Sequence, residues 1–236
     1  MMRALKWLGL GLTLTVLLAV GWVVRTVYFP GAQHLSLPER FISVQSAEGK
    51  ALLGRAARAD YDAVLPHFET QSRGSFCGVA SAVATVNALS AGPVTQDDFF
   101  NDAVSEVKGS FAVTFGGMTL EQLSAMLTAR GLDATAHHVS PDDDVAAFRM
   151  RAAANLARAG DVLVANYDRR KLDQKGGGHI SPVVAYDARS DRLLVLDTAS
   201  YKYAPHWIKT QELFDAMATK DSSVDAYRGY VVARRR

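Results

Sequence analysis

One residue can serve as a strong nucleophile here, Cys77, the only cysteine in 236 residues. It stands in Gln71-Ser-Arg-Gly-Ser-Phe-Cys-Gly, and from Gly78 the chain continues as Val79, Ala80, Ala82, Val83, Ala84, Val86, Ala88 and Leu89. A segment apolar on nearly every side reads as a buried helix. A cysteine at the N-terminal end of such a helix meets its positive pole, which favours the thiolate. Gly78 is expected to keep the approach to the sulfur open. The amide of Gln71, six residues upstream, is a candidate donor to the oxyanion of an attacked carbonyl. A lone cysteine among small apolar residues is also an ordinary core residue, so the nucleophile needs partners.

Two candidates follow. His179 comes directly after Gly176-Gly177-Gly178, at the start of a strand, where glycines allow a substrate backbone to approach. Asp197 closes the apolar run Leu-Leu-Val-Leu-Asp, and a carboxylate in that position is costly unless paired. Only a short hairpin separates the two. An acid against the imidazole would fix its tautomer and stabilise the imidazolium. Cys77, His179 and Asp197 thus read as nucleophile, base and orienting acid.

The elements that must position them can be read in outline. Ser36 to Arg40 is an extended entry. Ser46 caps a helix to Arg58, and Asp60 to Phe68 leads into the cysteine segment. Gly92-Pro93 ends the buried helix. Thr95 is expected to cap the next one, Phe115-Gly116-Gly117 to form a loop, and Thr119 to cap a helix to Arg130. Ser140-Pro141 with Asp142, Asp143 and Asp144 reads as the start of a helix that Gly160 stops. Strands follow at Val162 to Tyr167, Ile180 to Tyr186 and Arg192 to Leu196, with a turn over Asp187 to Asp191. A helix from Thr210 to Ala218 and a strand from Tyr230 to Ala233 complete the chain. Helices first and an antiparallel sheet after give an α+β fold, with an N-terminal helical part and a C-terminal sheet.

Composition narrows the classes. With 49% hydrophobic and 21% charged residues the chain is globular rather than disordered. A net charge of +2 gives no case for nucleic acid, and Arg234-Arg235-Arg236 reads as a solvated end. One cysteine excludes an internal disulfide. There is no phosphate loop and no Cys/His set at metal-ligand spacing. His34, His67, His137, His138 and His206 read as surface or packed histidines, and Phe76 and Trp207 as packing.

Trp7 to Val24 is an uncharged run of 18 residues preceded by Arg3 and Lys6. As a helix it would be roughly 27 Å long, enough to span a bilayer core, with the N-terminus in the cytoplasm. Ala19-Val20-Gly21 is a passable cleavage site, so a secreted or periplasmic product after signal cleavage is the alternative. The run outlasts a usual signal core and continues past that site. The expectation is therefore a membrane anchor or signal segment with linker over residues 1–33, and a catalytic domain over 34–236. The anchor would be uncleaved, in the inner membrane, with the domain periplasmic.

Three motifs in order, Gln-Ser-x-x-x-Phe-Cys-Gly with Asn87-Ala88-Leu89, Gly-Gly-Gly-His-Ile-Ser-Pro, and Leu-Asp-Thr-Ala-Ser-Tyr-Lys-Tyr-Ala-Pro-His-Trp, resemble the phytochelatin synthase family. The likeness spans about Leu37 to Val232. It implies a papain-like cysteine protease fold and a glutathione γ-glutamylcysteine dipeptidyltransferase. Cys77 matches the nucleophile, His179 the base, Asp197 the orienting acid and Gln71 the oxyanion amide. Asn166 and Gly178 match positions lining the acyl site. Asp221 and Arg228 match those holding the γ-glutamyl amine and carboxylate, and Tyr203 of the third motif is a further substrate-binding candidate.

The plant members' Cys-rich C-terminal region is lacking in this chain, as are additional core cysteines. Both departures, like the short bacterial relatives, point to hydrolysis of glutathione over phytochelatin synthesis. Deglycylation of glutathione S-conjugates is a further alternative. No cofactor is required. Cd or Zn would act through the metal–glutathione substrate, with no protein metal site. Glutathione and the membrane are the expected partners, and the oligomeric state is left open, a homodimer included.

Overall fold

The computed structural model describes residues 15–25, 27–89 and 93–236. Its centre is a seven-stranded antiparallel sheet in the order β1-β6-β5-β4-β3-β9-β2. The strands are β1 (Ile42–Ser43), β2 (Leu132–His138), β3 (Asp161–Asp168), β4 (Gly178–Asp187), β5 (Arg192–Val195), β6 (His206–Lys209) and β9 (Gly229–Arg235). A small hairpin of β7 (Lys220–Asp221) and β8 (Ala226–Tyr227) stands apart.

The pleat sends alternate side chains to opposite faces. Val162 and Val164 of β3 join one core with Ile180, Val184 and Val231. Leu163, Ala165 and Tyr167 join a second core with Val183, Val195 and Ile208. Eight helices supply the covers: α1 (Ala47–Arg55), α2 (Ala59–Val64), α3 (Cys77–Leu89), α4 (Asp102–Val107), α5 (Ser110–Gly116), α6 (Leu120–Ala129), α7 (Val145–Leu156) and α8 (Thr210–Met217). The first six contribute to the first core through residues such as Leu52, Val64, Val83, Val104, Val113 and Leu123. Helices α7 and α8 cover the other face through Phe148, Ala152, Leu156, Leu213 and Phe214. Coverage on both faces explains why all eight residues of β3 are buried. The α+β class stands as expected.

Local signals worked where a side chain alone ends an element. Ser46 accepts from Gly49 N, and Thr119 forms a capping box with Gln122. Elsewhere a rival cap won. Thr95 Oγ1 does accept from Asp98 N at 3.2 Å, but Phe99 then turns into the core, and α4 starts only after Asn101, which accepts from Val104 N. Ser140 to Asp143 close a turn of their own, and α7 starts after Asp144, whose carboxylate accepts from Ala146 N. Helix α2 occupies a stretch expected as linker, and α5 takes in Phe115 and Gly116 of the expected loop. Strands β1, β2, β6, β7 and β8 had no sequence reading, and two of them, β1 and β2, bring sheet strands into the part expected to be helical. Helix α3 ends at Leu89, and residues 90–92, with the expected stop at Gly92, lie outside the described residues.

The expected anchor falls partly outside them too. Residues 15–25 are helical and exposed. Among the described residues no helix is long and apolar enough to cross a membrane, and residues 1–14 are not described.

Candidate active site

Cys77 is the first residue of α3, half-buried, at the helix end where unsatisfied backbone donors gather. Ser81, one turn on, holds that end to the sheet: its Oγ lies 2.8 Å from Cys77 O and 3.1 Å from Ile180 O of β4. His179 is the second residue of β4 and sits opposite Tyr167 of β3, whose ring meets the imidazole edge-on at 5.6 Å between centroids. Cys77 and His179 line one cleft of about 380 Å³ together with Gln71, Asn166, Gly178, Asp221 and Arg228.

Asp197 lies behind the cleft wall, fully buried. One oxygen, Oδ1, receives three donors: His179 Nε2 at 3.0 Å, Arg169 Nη2 at 2.6 Å and Ala199 N at 2.9 Å. With Nε2–H committed to the carboxylate, the lone pair of a neutral imidazole resides on Nδ1. Arg169 is itself buried and bound through Nη1 to Gln174 Oε1 at 2.8 Å. Gln174 Nε2 lies 3.2 Å from His206 Nε2, and the His206 ring stacks on Phe41. A polar chain therefore runs from the cleft into the fold, each member held by the next.

The site's electrostatics follow. Burial raises the Asp197 carboxyl, but His179 and Arg169 outweigh it and hold Asp197 well below the usual carboxylate range. Burial, then the Arg169 charge, push the His179 imidazole down to about 4, against the pull of Asp197. Burial also pushes the Cys77 thiol up, and the Ile180 and Gly78 amides and Arg169 only partly offset it. The helix pole alone suggested a resting thiolate. In the fold, burial opposes the helix pole and raises the thiol.

A second cluster lies on the same cleft. Arg228 Nη1 donates to Asp221 Oδ2 at 3.0 Å and to Asn166 Oδ1 at 3.2 Å, while Arg228 Nε is buried without a partner. The β7–β8 hairpin brings Asp221 there, and Ser223 N and Oγ bind its other oxygen.

The glycines of the run line the cleft and also do steric work that the sequence did not suggest. A Cβ at Gly178 would stand 2.6 Å from Arg228 Nη1, and one at Gly176 would stand 3.0 Å from Arg169 Cδ. The run makes room for two arginines. Gly78 likewise admits Met118, whose Sδ would be 2.4 Å from a Cβ there.

Two candidates are placed differently from their expected roles. Gln71 lines the cleft, but its Nε2 donates to Arg73 O and Gly74 O at 2.9 and 2.7 Å, while its Oε1 is buried and unpaired. Both amide hydrogens shape the loop before Cys77, so an oxyanion bond from Gln71 requires one of them to be released. Tyr203 does not line the cleft. It is buried behind it, under the Arg169 guanidinium, with its hydroxyl accepting from Lys175 N at 2.8 Å.

The sequence reading missed Arg169, Gln174 and Thr198, whose Oγ1 reaches Ile180 O at 3.0 Å. It also missed Tyr201 and Lys202 on the cleft rim. Arg169 follows a strand in a run of charged residues, Asp168-Arg169-Arg170-Lys171, that reads as solvated surface. Only its burial betrays it. Among the described residues no group of three or more His, Cys, Asp or Glu is placed to hold a metal ion.

Residues 32–230 match the family model described as phytochelatin synthase. The chain is 30% identical over 203 residues to glutathione gamma-glutamylcysteinyltransferase 3 of Lotus japonicus, covering 81% of this chain and 42% of that protein. It is 31% identical over 210 residues to the corresponding protein 1 of Triticum aestivum, covering 83% and 41%. Against the Schizosaccharomyces pombe protein of the same name the figures are 24% over 226 residues, covering 91% and 52%. The chain thus spans about two fifths to one half of the length of these relatives.

Proposed function

The chain belongs to the phytochelatin synthase family, and from that premise we propose that it cleaves the Cys–Gly bond of glutathione, releasing mainly glycine and γ-glutamylcysteine. The observation that carries the reading is one cleft holding a cysteine, a carboxylate-bound histidine and the Asp221–Arg228 pair. An acid and a base side by side suit the ammonium and carboxylate of a γ-glutamyl end. That pairing also favours a small zwitterionic peptide over a general endopeptidase substrate.

Mechanistically, His179 Nδ1 takes the proton from Cys77 Sγ as the sulfur attacks the Cys–Gly carbonyl. The first-turn amides of α3 face the developing oxyanion. The C–N bond breaks, the imidazolium returns its proton to the leaving glycine amine, and a γ-glutamylcysteinyl thioester remains. Water then adds to the acyl carbon, giving its proton to Nδ1. The S–C bond breaks and the thiol is restored. Asp197 stabilises the imidazolium in both halves, and Arg169 keeps Asp197 ionised. On this reading the scaffold is papain-like, and thiol-binding metals act only through metal–glutathione substrate.

Hydrolysis is favoured because a cleft of about 380 Å³ is at the small end for ligand sites, which suits one peptide plus water. Cys77, the sole cysteine, leaves no second thiol to hand on an acyl group. Transfer to a second glutathione is the other reading. It draws support from Lys202 on the rim, a cation suited to an acceptor's carboxylate. Mass spectrometry of products at millimolar glutathione, with and without Cd or Zn, separates the two. A dominant peptide with two γ-glutamylcysteine units would overturn the hydrolytic reading. Intact mass should show an adduct of glutathione minus glycine on the wild type, and Cys77→Ala should show none.

The uncharged run from Trp7 to Val24 supports placing the chain on a membrane, with its catalytic domain on the non-cytoplasmic side.

A further inference from the structure

Away from the cleft, the sheet carries another hollow, of about 340 Å³, on the face that α7 covers. Its floor follows from register. Asp133, Thr135 and His137 of β2 pair with Arg234, Val232 and Tyr230 of β9, so the six share one face. Asp161 and Leu163 of β3 continue that floor on the other side of β9. Helix α7 turns Phe148, Ala152 and Leu156 into the core. Its next stripe, Arg151, Ala154 and Asn155 with Arg158 just past the helix end, walls the hollow. Among the described residues none lines both the hollow and the catalytic cleft.

Two features mark it as a site. The first is charge. Arg158 Nη2 lies 2.9 Å from Asp161 Oδ2, and Arg234 Nη2 lies 2.7 Å from Asp133 Oδ2, so these two cations are matched. Arg151 is exposed, and its Nη1 donates to the Tyr230 hydroxyl at 3.4 Å. Among the described residues no carboxylate stands within ion-pair distance of it, and Asp143 acts on it only from further off. His137 stacks on Tyr230 at 5.0 Å between centroids. Burial and the Arg151 charge hold it below its ordinary range, so it adds no charge at neutral pH. Three arginines against two aspartates leave one positive charge. The second feature is Asn155. It is 4% exposed, and neither atom of its amide has a hydrogen-bond partner. Buried polar groups are ordinarily paired. Asp161 Oδ1, also buried and unpaired, is a further acceptor on the floor.

We propose that this hollow binds the carboxyl-terminal end of a small peptide, with the terminal carboxylate on Arg151 and the peptide group before it on Asn155. One unmatched positive charge suits a carboxylate better than a doubly charged phosphate, and the guanidinium fork fits a carboxylate with two bonds. A primary amide offers both N–H and carbonyl, so a peptide group can pair with it in both directions. Arg151 and Asn155 stand four residues apart on one helix face, about 5–6 Å between Cβ atoms. In a peptide a single Cα separates the terminal carboxylate from the peptide group before it, which suits that spacing. Asp161 Oδ1 accepts the next N–H along the chain. Ala154, Leu163 and Val232 give the ligand's carbon atoms an apolar surface. A volume of about 340 Å³ is at the small end for ligand sites, which suits a dipeptide or tripeptide. A peptide held here does not touch Cys77, so the proposal stands apart from the reaction proposed above.

The test uses the full chain in detergent micelles, in a Cys77→Ala background so that nothing is cleaved. The sequence holds four asparagines, Asn87, Asn101, Asn155 and Asn166. With nitrogen-15 in asparagine alone, the side-chain amide of Asn155 reports on the hollow and that of Asn166 on the catalytic cleft, in one spectrum. Asn155→Leu and Asn166→Gln identify the two signals. The probe is N-acetylglycylglycine, whose blocked amine denies Asp221 an ammonium. Titration should shift the Asn155 signal, saturating in the millimolar range, and leave Asn166 in place. Arg151→Met should weaken binding by at least about tenfold, while unmoved signals from Asn87, Asn101 and Asn166 show an intact fold. The same probe with its carboxylate capped as an amide should bind as weakly to the unaltered site. An Asn155 signal that stays still means that solvent satisfies the amide, and it overturns the proposal. So does a shift that Arg151→Met leaves unchanged. Inorganic phosphate acting at lower concentration than the peptide would mark a plain anion site, and movement of Asn166 alone would place the peptide in the catalytic cleft. Either result also overturns the proposal.

Discussion

Two aspartates, Asp197 behind the cleft and Asp60 on α2, are equally inaccessible, each with no exposed surface. Their surroundings differ completely. Asp197 has three donors on one oxygen and is held strongly acidic. Neither oxygen of Asp60 has a well-formed hydrogen bond, and the Leu163 backbone is the donor that acts on it. Burial, then the charge of Asp161, push it up to about 8, with only the Leu163 amide pulling the other way. Depth is common to both, so depth does not decide whether a buried acid is charged. Donors do. The donors are gathered where a charge is needed to steady an imidazolium, and at Asp60 the fold keeps the proton instead.

The most damaging way to break this contrast is to make Asp197 resemble Asp60. Arg169→Met removes the guanidinium and leaves a buried carboxylate with too few partners, which should cost about 3–5 kcal/mol of stability, read by urea unfolding. Arg169 also opposes protonation of His179. Its loss should move the acid limb of the rate profile to higher pH, whereas a variant that was only unstable would keep the limb in place.

The converse change removes the ionisation of Asp60. In the fold its proton is held until about pH 8, and in the unfolded chain it leaves near pH 4. Between these values the folded state binds more protons, so the contribution is complete below pH 4 and is lost as pH rises towards 8. Asp60→Asn should flatten that decline. The variant should gain on the order of 2–4 kcal/mol over the wild type at pH 8 relative to pH 4. Melting curves across this range check it, and parallel curves for the two proteins would show that Asp60 does not titrate there.

The smallest effect sharpens the boundary of the Asp197 network. Tyr203→Phe removes the bond from Lys175 N and should cost about 0.5–1.5 kcal/mol. Because Tyr203 lies behind the cleft wall, KM for glutathione should be unchanged. A raised KM with normal stability would return Tyr203 to the substrate.

The sequence by itself determined what rests on nearest neighbours in the chain. The apolar run after Cys77, the caps at Ser46 and Thr119, and the strands around His179 are short-range features, and each was legible from residue type and period. Cys77, His179 and Asp197 could be named because reactive side chains next to glycines and strand ends are conspicuous, and the motif order pointed to one family. The caps at Asn101 and Asp144 were not legible, since neighbouring side chains competed for the same helix start and packing chose between them. Arg169 and Asp60 were illegible for a deeper reason. Each sits among charged or polar neighbours in sequence, and only the folded chain takes them out of water. Charge state, the resting form of Cys77 and the partners of Gln71 depend on desolvation and on donors brought from distant segments. Those quantities exist only once the tertiary structure has formed.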